Sequence, residues 1–307
     1  LAENFLKINI HPDVAEALKT PSAPVVALES TLLAHGLPPS IRLDVAHELE
    51  ELVRAHQAVP ATIAIIDNEI CIGLNVEQLK RLTQESTQKA SVRDLSVALT
   101  TGGIWATTVA STMYIASLAS IRFFATGGIG GVHRNAILSF DESADLFALA
   151  KYPVAVVSAG AKAILDLPKT VERLETLGVP ILGYKTASFP GFYCSTQDLH
   201  LKHRFTETTT VAQVVYNRIE TLGQGGILIV QDPPSDSAQE PGQVEEKIQS
   251  ALEQAEIKGI NGAETTPFLL QQLADASNGS FVDTNLALVR NNVVLASNVA
   301  RDFARIT

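Results

Sequence analysis

Residues 121–162 read IRFFATGGIGGVHRNAILSFDESADLFALAKYPVAVVSAGAK. The apolar run Ile121–Ala125 stops at Thr126 and opens into Gly127, Gly128, Gly130 and Gly131. His133 and Arg134 follow, then the carboxylates Asp141 and Asp145. A second apolar run, Val154–Val157, leads into Ser158-Ala159-Gly160-Ala161 and then Lys162. Short continuous apolar runs closed by small-residue loops are the pattern of strands buried on both faces. In open α/β sheets ligands sit at the carboxyl ends of the strands. Here the glycines, a histidine, a carboxylate pair and an isolated lysine fall at two such ends.

The same alternation extends outward. Towards the N-terminus, His11–Lys19 reads as a short helix and Val25–Leu28 as a buried strand closed by Glu29, with Thr31, His35 and Gly36 on the loop beyond. Leu43–Gln57 has its apolar residues at helical spacing. Ala61–Ile66 is a buried strand, Asp67-Asn68 a turn, Glu69–Gly73 its hairpin partner and Val76–Thr83 a helix. Lys89–Asp94 reads as a solvated polar connector, and Ala106–Ala119, uncharged and rich in small residues, as a helix buried between layers. Towards the C-terminus come a helix at Pro168–Leu177, a strand at Val179–Tyr184 and an aromatic loop at 188–193 that suits a lid or an interface. A helix at Thr210–Leu222, a strand at Gly226–Val230 and a surface loop at Asp232–Gly242 follow. The chain then has a helix at Gln243–Lys258, a helix start at Thr265-Thr266-Pro267 and a helical region at Thr284–Ile306 carrying Asn285, Asn291 and Asn292. No repeat interrupts this order, and the expected architecture is one α/β domain over residues 1–307.

Composition bounds the function. The 33 acidic residues exceed the 23 basic ones, giving a net charge of −10 with no basic patch, which disfavours nucleic acid and anionic membranes as partners. Cys71 and Cys194 are the only cysteines. They predict neither a disulfide scaffold nor a cysteine zinc site, and point to a cytoplasmic or other reducing intracellular compartment. No apolar run reaches membrane-spanning length.

Lys162 is the most informative residue. It follows an apolar strand and a small-residue loop and precedes AILDL, which reads as an apolar helix. A poorly hydrated amine can attack a carbonyl carbon and form a Schiff base. The bland alternative is a lysine that reaches solvent along its stem. Glu29, a carboxylate closing a buried strand, is unusual there, and its bland reading is a loop brace. Asp141 and Asp145 are either helix-entry residues or oxygen ligands for Mg²⁺ or Mn²⁺. The glycines and the start of the small-residue helix, Thr107–Ser111, suit an anion such as a phosphate.

Taken together, the segments VALESTLLAHGLP (Val26–Pro38), VPATIAII (Val59–Ile66), ATTVASTM (Ala106–Met113), FATGGIGGVHR (Phe124–Arg134), SADL (Ser143–Leu146), SAGAKAILDLPKT (Ser158–Thr170), ETTPFLL (Glu264–Leu270) and LVRNNVVLASNVA (Leu288–Ala300) resemble the pseudouridine-5′-phosphate glycosidase family, also called indigoidine synthase A-like. The resemblance spans about Ile8–Ala304. It implies a three-layer α/β/α fold with a central mixed sheet, a homotrimer and Mn²⁺. It also implies reversible cleavage of pseudouridine 5′-phosphate to uracil and ribose 5-phosphate. By motif, Lys162 matches the Schiff-base lysine and Glu29 the proton donor, while Asp141 or Asp145 matches the metal site. Ser143, Ala144 and Asp145 match a substrate-contacting segment, and Lys89 and Val109 match substrate contacts. His133, as a catalytic group, and Thr108, Thr126 and a C-terminal asparagine, taken as Asn292, are similar to further active-site positions. Trp105 stands where the family has a small Asn-Gly pair, a departure expected to narrow the pocket or alter loop closure. Two alternatives remain: another Schiff-base lyase or aldolase acting on a sugar phosphate, and a catalytically idle member serving as an assembly or pathway partner.

Overall fold

The computed structural model describes residues 7–20, 23–134, 136–260, 268–269, 272–273 and 279–306. The strands are β1 (Ile8–Ile10), β2 (Val25–Leu28), β3 (Val59–Ile66), β4 (Glu69–Ile72), β5 (Thr87–Ala90), β6 (Ile104–Thr107), β7 (Phe123–Ala125), β8 (Ala155–Ser158), β9 (Ile181–Tyr184), β10 (His203–Phe205) and β11 (Ile227–Val230). The α-helices before β6 are α1 (Pro12–Ala17), α2 (Thr31–His35), α3 (Arg42–Ala55), α4 (Val76–Gln84) and α5 (Leu95–Thr101). Beyond it lie α6 (Val109–Leu118), α7 (Ala136–Ser139), α8 (Ala144–Lys151), α9 (Leu167–Thr176), α10 (Thr208–Tyr216), α11 (Pro241–Ile257) and a C-terminal helix, Ser280–Phe303. The helix start expected at Thr265-Thr266-Pro267 lies outside the described residues.

The strands form one mixed sheet in the order β1-β4-β3-β2-β7-β8-β11-β9-β10. All neighbours on this path are parallel except β3 and β4. That antiparallel pair is the expected hairpin, with Asp67 and Asn68 at φ +50° and +68°. The C-terminal helix and α3 pack on one face, and α6 and α8 on the other. The result is the three-layer α/β/α arrangement with a mixed sheet. β2, β8 and β11 are buried at every residue, as continuous apolar runs require. No helix among the described residues is long and apolar enough to cross a membrane. Burial pushes the thiols of Cys71 and Cys194 up to about 11, so both behave as packing groups.

Among the stretches that differ from the sequence reading, Lys89 and Ala90 of the polar connector belong to β5, which runs parallel to β6, and β6 in turn runs antiparallel to β3. Only Ala90 of that strand is buried, so its composition is that of an edge. The segment read as one helix from Ala106 divides at Thr108. Residues 104–107 are strand, and Thr108 caps α6 through a reciprocal bond pair with Ser111.

Candidate active site

The chain leaves β2 for β3 on one side and later returns to β7 on the other, so strand order reverses between β2 and β7. This is where an open α/β sheet leaves a crevice at its carboxyl edge. Glu29 follows β2 and Thr126 follows β7, and the Thr126 hydroxyl donates to Glu29 Oε1. Asn292, wholly buried on the C-terminal helix, holds this junction from behind. Its Nδ2 donates to the Thr126 carbonyl at 2.8 Å, and its Oδ1 accepts from Gln231 Nε2 at 3.0 Å. Two turns earlier on the same helix, the buried Asn285 Oδ1 has no hydrogen-bond partner among the described residues. It lies 3.2 Å from where a Cβ on Gly127 would stand. The sequence singled out Asn285 without giving it a role.

Charged groups converge on the crevice. Burial raises the Glu29 carboxyl above its ordinary 4.5, against the opposing pull of the Lys162 ammonium and the Thr126 hydrogen bond. Lys89, on β5, is exposed along its strand. Even so, dehydration of its amine, reinforced by Lys162, lowers its pKa. His133 is lowered first by burial and then by Lys162 and Lys89, while Asp141 acts in the other direction. His35, at the end of α2, is lowered by burial, Arg42 and Lys89. Lys162 and Lys89 therefore act on both Glu29 and His133, with Asp145 acting on both Glu29 and Lys89.

The glycine-rich loop is tied into the protein through several of its amides: Ile129 N–H donates to Gly160 O, Gly130 to Asp145 Oδ2, Val132 to Thr170 Oγ1 and His133 to Asp141 O. A Cβ on Gly128 would stand 2.5 Å from the Phe192 ring, and one on Gly131 2.4 Å from Thr170 Oγ1. These glycines admit close packing rather than a ligand. At Gly130 the Cβ would meet Ser143 Oγ at 2.3 Å and Asp145 Oδ2 at 2.8 Å. Gly130→Ala should therefore cost about 1–3 kcal/mol of stability and displace the Ser143–Asp145 segment. Thermal unfolding and substrate KM, measured together, check this.

Asp145, 5% exposed, accepts from Ala110 N–H through Oδ1 at 2.9 Å and from Gly130 N–H through Oδ2 at 2.7 Å. It ties the start of α6 to the glycine-rich loop. Ser143 caps α8, and Ala144 is its first, exposed residue. Asp141 is more open, with Oδ2 3.8 Å from His133 Nδ1. Among the described residues no three His, Cys, Asp or Glu side chains gather as a metal cage. The donor set suits a hydrated hard cation held by few carboxylates, of which Asp141 is the more open and Asp145 already accepts one amide at each oxygen. Thr108 and Val109 form the entrance to α6 beside Lys89, where Ser111 Oγ donates to Ala90 O.

Three expectations are corrected by the geometry. Lys162 does not open a helix; it lies in an irregular loop, and α9 begins only at Leu167. The aromatic loop is neither lid nor interface, because Phe189, Phe192 and Tyr193 are buried and Phe192 N–H donates to Ala159 O. Trp105 does not reach forward from its strand. It is 8% exposed, and its indole N–H donates back to Gly102 O, away from Thr108.

The model of the indigoidine synthase A like protein family matches residues 13–302. A protein named pseudouridine-5′-phosphate glycosidase from Caldanaerobacter subterraneus subsp. tengcongensis is 46% identical over 294 residues, covering 95% of both chains. One of the same name from Escherichia coli is 44% identical over 301 residues, covering 97% of this chain and 96% of its own. Among solved structures, the prealnumycin C-glycosynthase AlnA in complex with ribulose 5-phosphate superposes with a TM-score of 0.90 at 35% identity, covering 98% of each chain. An indigoidine synthase A-like protein from Thermotoga maritima does so with a TM-score of 0.88 at 28% identity, covering 98% of this chain and 97% of that one. With its sheet, its crevice and nearly its whole length matched, this chain belongs to the indigoidine synthase A-like family.

Proposed function

We propose that this chain cleaves the carbon–carbon glycosidic bond of pseudouridine 5′-phosphate reversibly, giving uracil and ribose 5-phosphate. The observation that carries the reading is a buried carboxyl with a raised pKa, Glu29, within the field of the Lys162 amine at the switch point of the sheet. The names of the relatives support the substrate.

The chemistry explains the pair. The bond joins C1′ of ribose to C5 of uracil, so there is no leaving oxygen or nitrogen to protonate, and two carboxylates alone do not suffice. In the proposed route the ring opens at C1′–O4′ with a proton going to O4′. The Lys162 amine adds to C1′ and loses a proton. Its lone pair then forms C=N as C1′–C5 breaks, and Glu29 delivers a proton to C5, releasing uracil. Water hydrolyses the C=N bond, returning the amine and ribose 5-phosphate. Thr126 aims the carboxyl, and His133, with a depressed pKa, serves as a neutral base near the sugar. Lys89 and the start of α6 at Thr108 and Val109 receive the phosphate. Ser143 and Ala144 border the sugar, and Asn285 offers its free oxygen to a uracil N–H. Asn292 supports the site from behind.

Mn²⁺ in this reading would be held by Asp141 and would order water and the sugar hydroxyls when bound. The assembly is a homotrimer. Ile137, Leu138, Phe140 and Phe147, all strongly exposed at the mouth of the site, supply an apolar surface for a neighbouring copy. The compartment is cytoplasmic or otherwise reducing.

A second reading is favoured by the likeness to the C-glycosynthase: the same lysine chemistry on a pentose phosphate, with an acceptor other than uracil. Incubation with pseudouridine 5′-phosphate and Mn²⁺, with uracil followed by chromatography, separates the two. The glycosidase reading expects stoichiometric uracil and ribose 5-phosphate. No uracil from folded, metal-loaded protein that still forms a reducible adduct with ribose 5-phosphate would select the second.

A further inference from the structure

Lys162 belongs to no regular element, so something else must fix the backbone of the nucleophile. Part of the answer is lacing between two loops. Lys162 N–H donates to Ile129 O at 3.0 Å, Leu165 N–H to Lys162 O at 3.0 Å and Asp166 N–H to Val132 O at 2.9 Å. The remaining tie is Arg134. One Nη2 proton goes to the carbonyl of Ala163, the residue after the nucleophile, at 3.1 Å. Nη1 and Nη2 also grip both oxygens of Glu245, on α11, at 2.5 and 2.9 Å. This guanidinium hydrogen bond holds the Glu245 carboxyl below its usual range. Arg134 Nε is buried without a partner among the described residues, so the head is aimed at Ala163 and Glu245.

We propose that Arg134, oriented by Glu245, is a positioning residue for the Lys162 nucleophile, acting through the Ala163 carbonyl. The inference rests on Lys162 being the Schiff-base lysine. A partly exposed ion pair contributes little to stability. Small displacements of a reacting group have a large effect on rate. The planar guanidinium grips the carboxylate bidentately and reaches the carbonyl at fixed geometry, which lysine's single, mobile ammonium reproduces poorly.

The test is borohydride trapping of the adduct formed with ribose 5-phosphate, read by intact mass, for wild type, Arg134→Lys, Arg134→Gln and the charge-swapped Arg134→Glu/Glu245→Arg. Steady-state kinetics and melting temperatures are taken alongside. The two single variants should trap about 10–100-fold more slowly, with kcat reduced, KM little changed and melting temperature within a few degrees of wild type. The swap restores the ion pair but removes the Ala163 contact, so it should stay slow. Wild-type trapping rates in Arg134→Gln, or full recovery in the swap, overturn the proposal. A slow rate accompanied by a large drop in melting temperature in Arg134→Lys also overturns it, in favour of a purely structural role. If wild type releases uracil but traps nothing, the Schiff-base reading itself fails, and the clamp with it.

Discussion

Lys162→Arg is expected to abolish uracil release, by about 10⁴-fold or more, while leaving the electrostatics of the crevice nearly intact. Arginine keeps the positive charge that opposes the burial-driven rise of Glu29, yet it stays protonated and has no nucleophilic lone pair. Lys162→Ala removes both functions. It should be equally inactive, and the Glu29 titration should move further upward, because the ammonium that lowered it has gone. NMR titration of Glu29 in the two variants, beside the chromatographic assay, separates nucleophile from counter-charge. Residual uracil release by Lys162→Ala within about 10-fold of wild type would rule out covalent catalysis by this lysine.

How much of this was legible in the sequence follows from what each residue depends on. Glu29 and Lys162 stand out because both terminate apolar runs, and strand ends are local features. The sheet is legible for the same reason: β2, β7, β8 and β11 are short buried runs. β5 is not, because an edge strand with one buried residue has the composition of a loop. The glycine-rich loop misleads because glycine permits close approach by anything. What fills the missing Cβ positions is protein: Phe192, Ser143 and Thr170, the first and last far away in sequence. The partners of Arg134, Asn292 and Thr126 are likewise distant, at Glu245, Gln231 and Glu29. Local spacing carries no trace of them. The same distance hides the different situations of the two aspartates. Asp145 is fixed by amides from two other segments, whereas Asp141 is the more open carboxylate, beside His133.

Glu29→Gln should lower turnover by about 10²–10⁴-fold, the usual contribution of a positioned proton donor. It should also make the folded protein less sensitive to a rise of pH above 4.5. The amide oxygen can still accept the Thr126 hydroxyl, so the local geometry survives. The sign follows from the raised pKa. The folded state holds the Glu29 proton more tightly than the unfolded chain, whose value is near 4.5. That stabilisation is fully present below 4.5 and is lost as pH rises through the folded value. Glutamine carries no charge at any pH and escapes the loss. The melting temperature of Glu29→Gln relative to wild type should therefore climb with pH across this window and level off above it. Wild-type kcat/KM should fall over the upper part of the same window, as the donor deprotonates. A variant whose relative stability is flat with pH would mean that Glu29 titrates alike in both states, and the burial that makes it a proton donor would lose its thermodynamic signature. Stability and turnover moving in opposite directions at one residue is what a buried acid kept for chemistry should show.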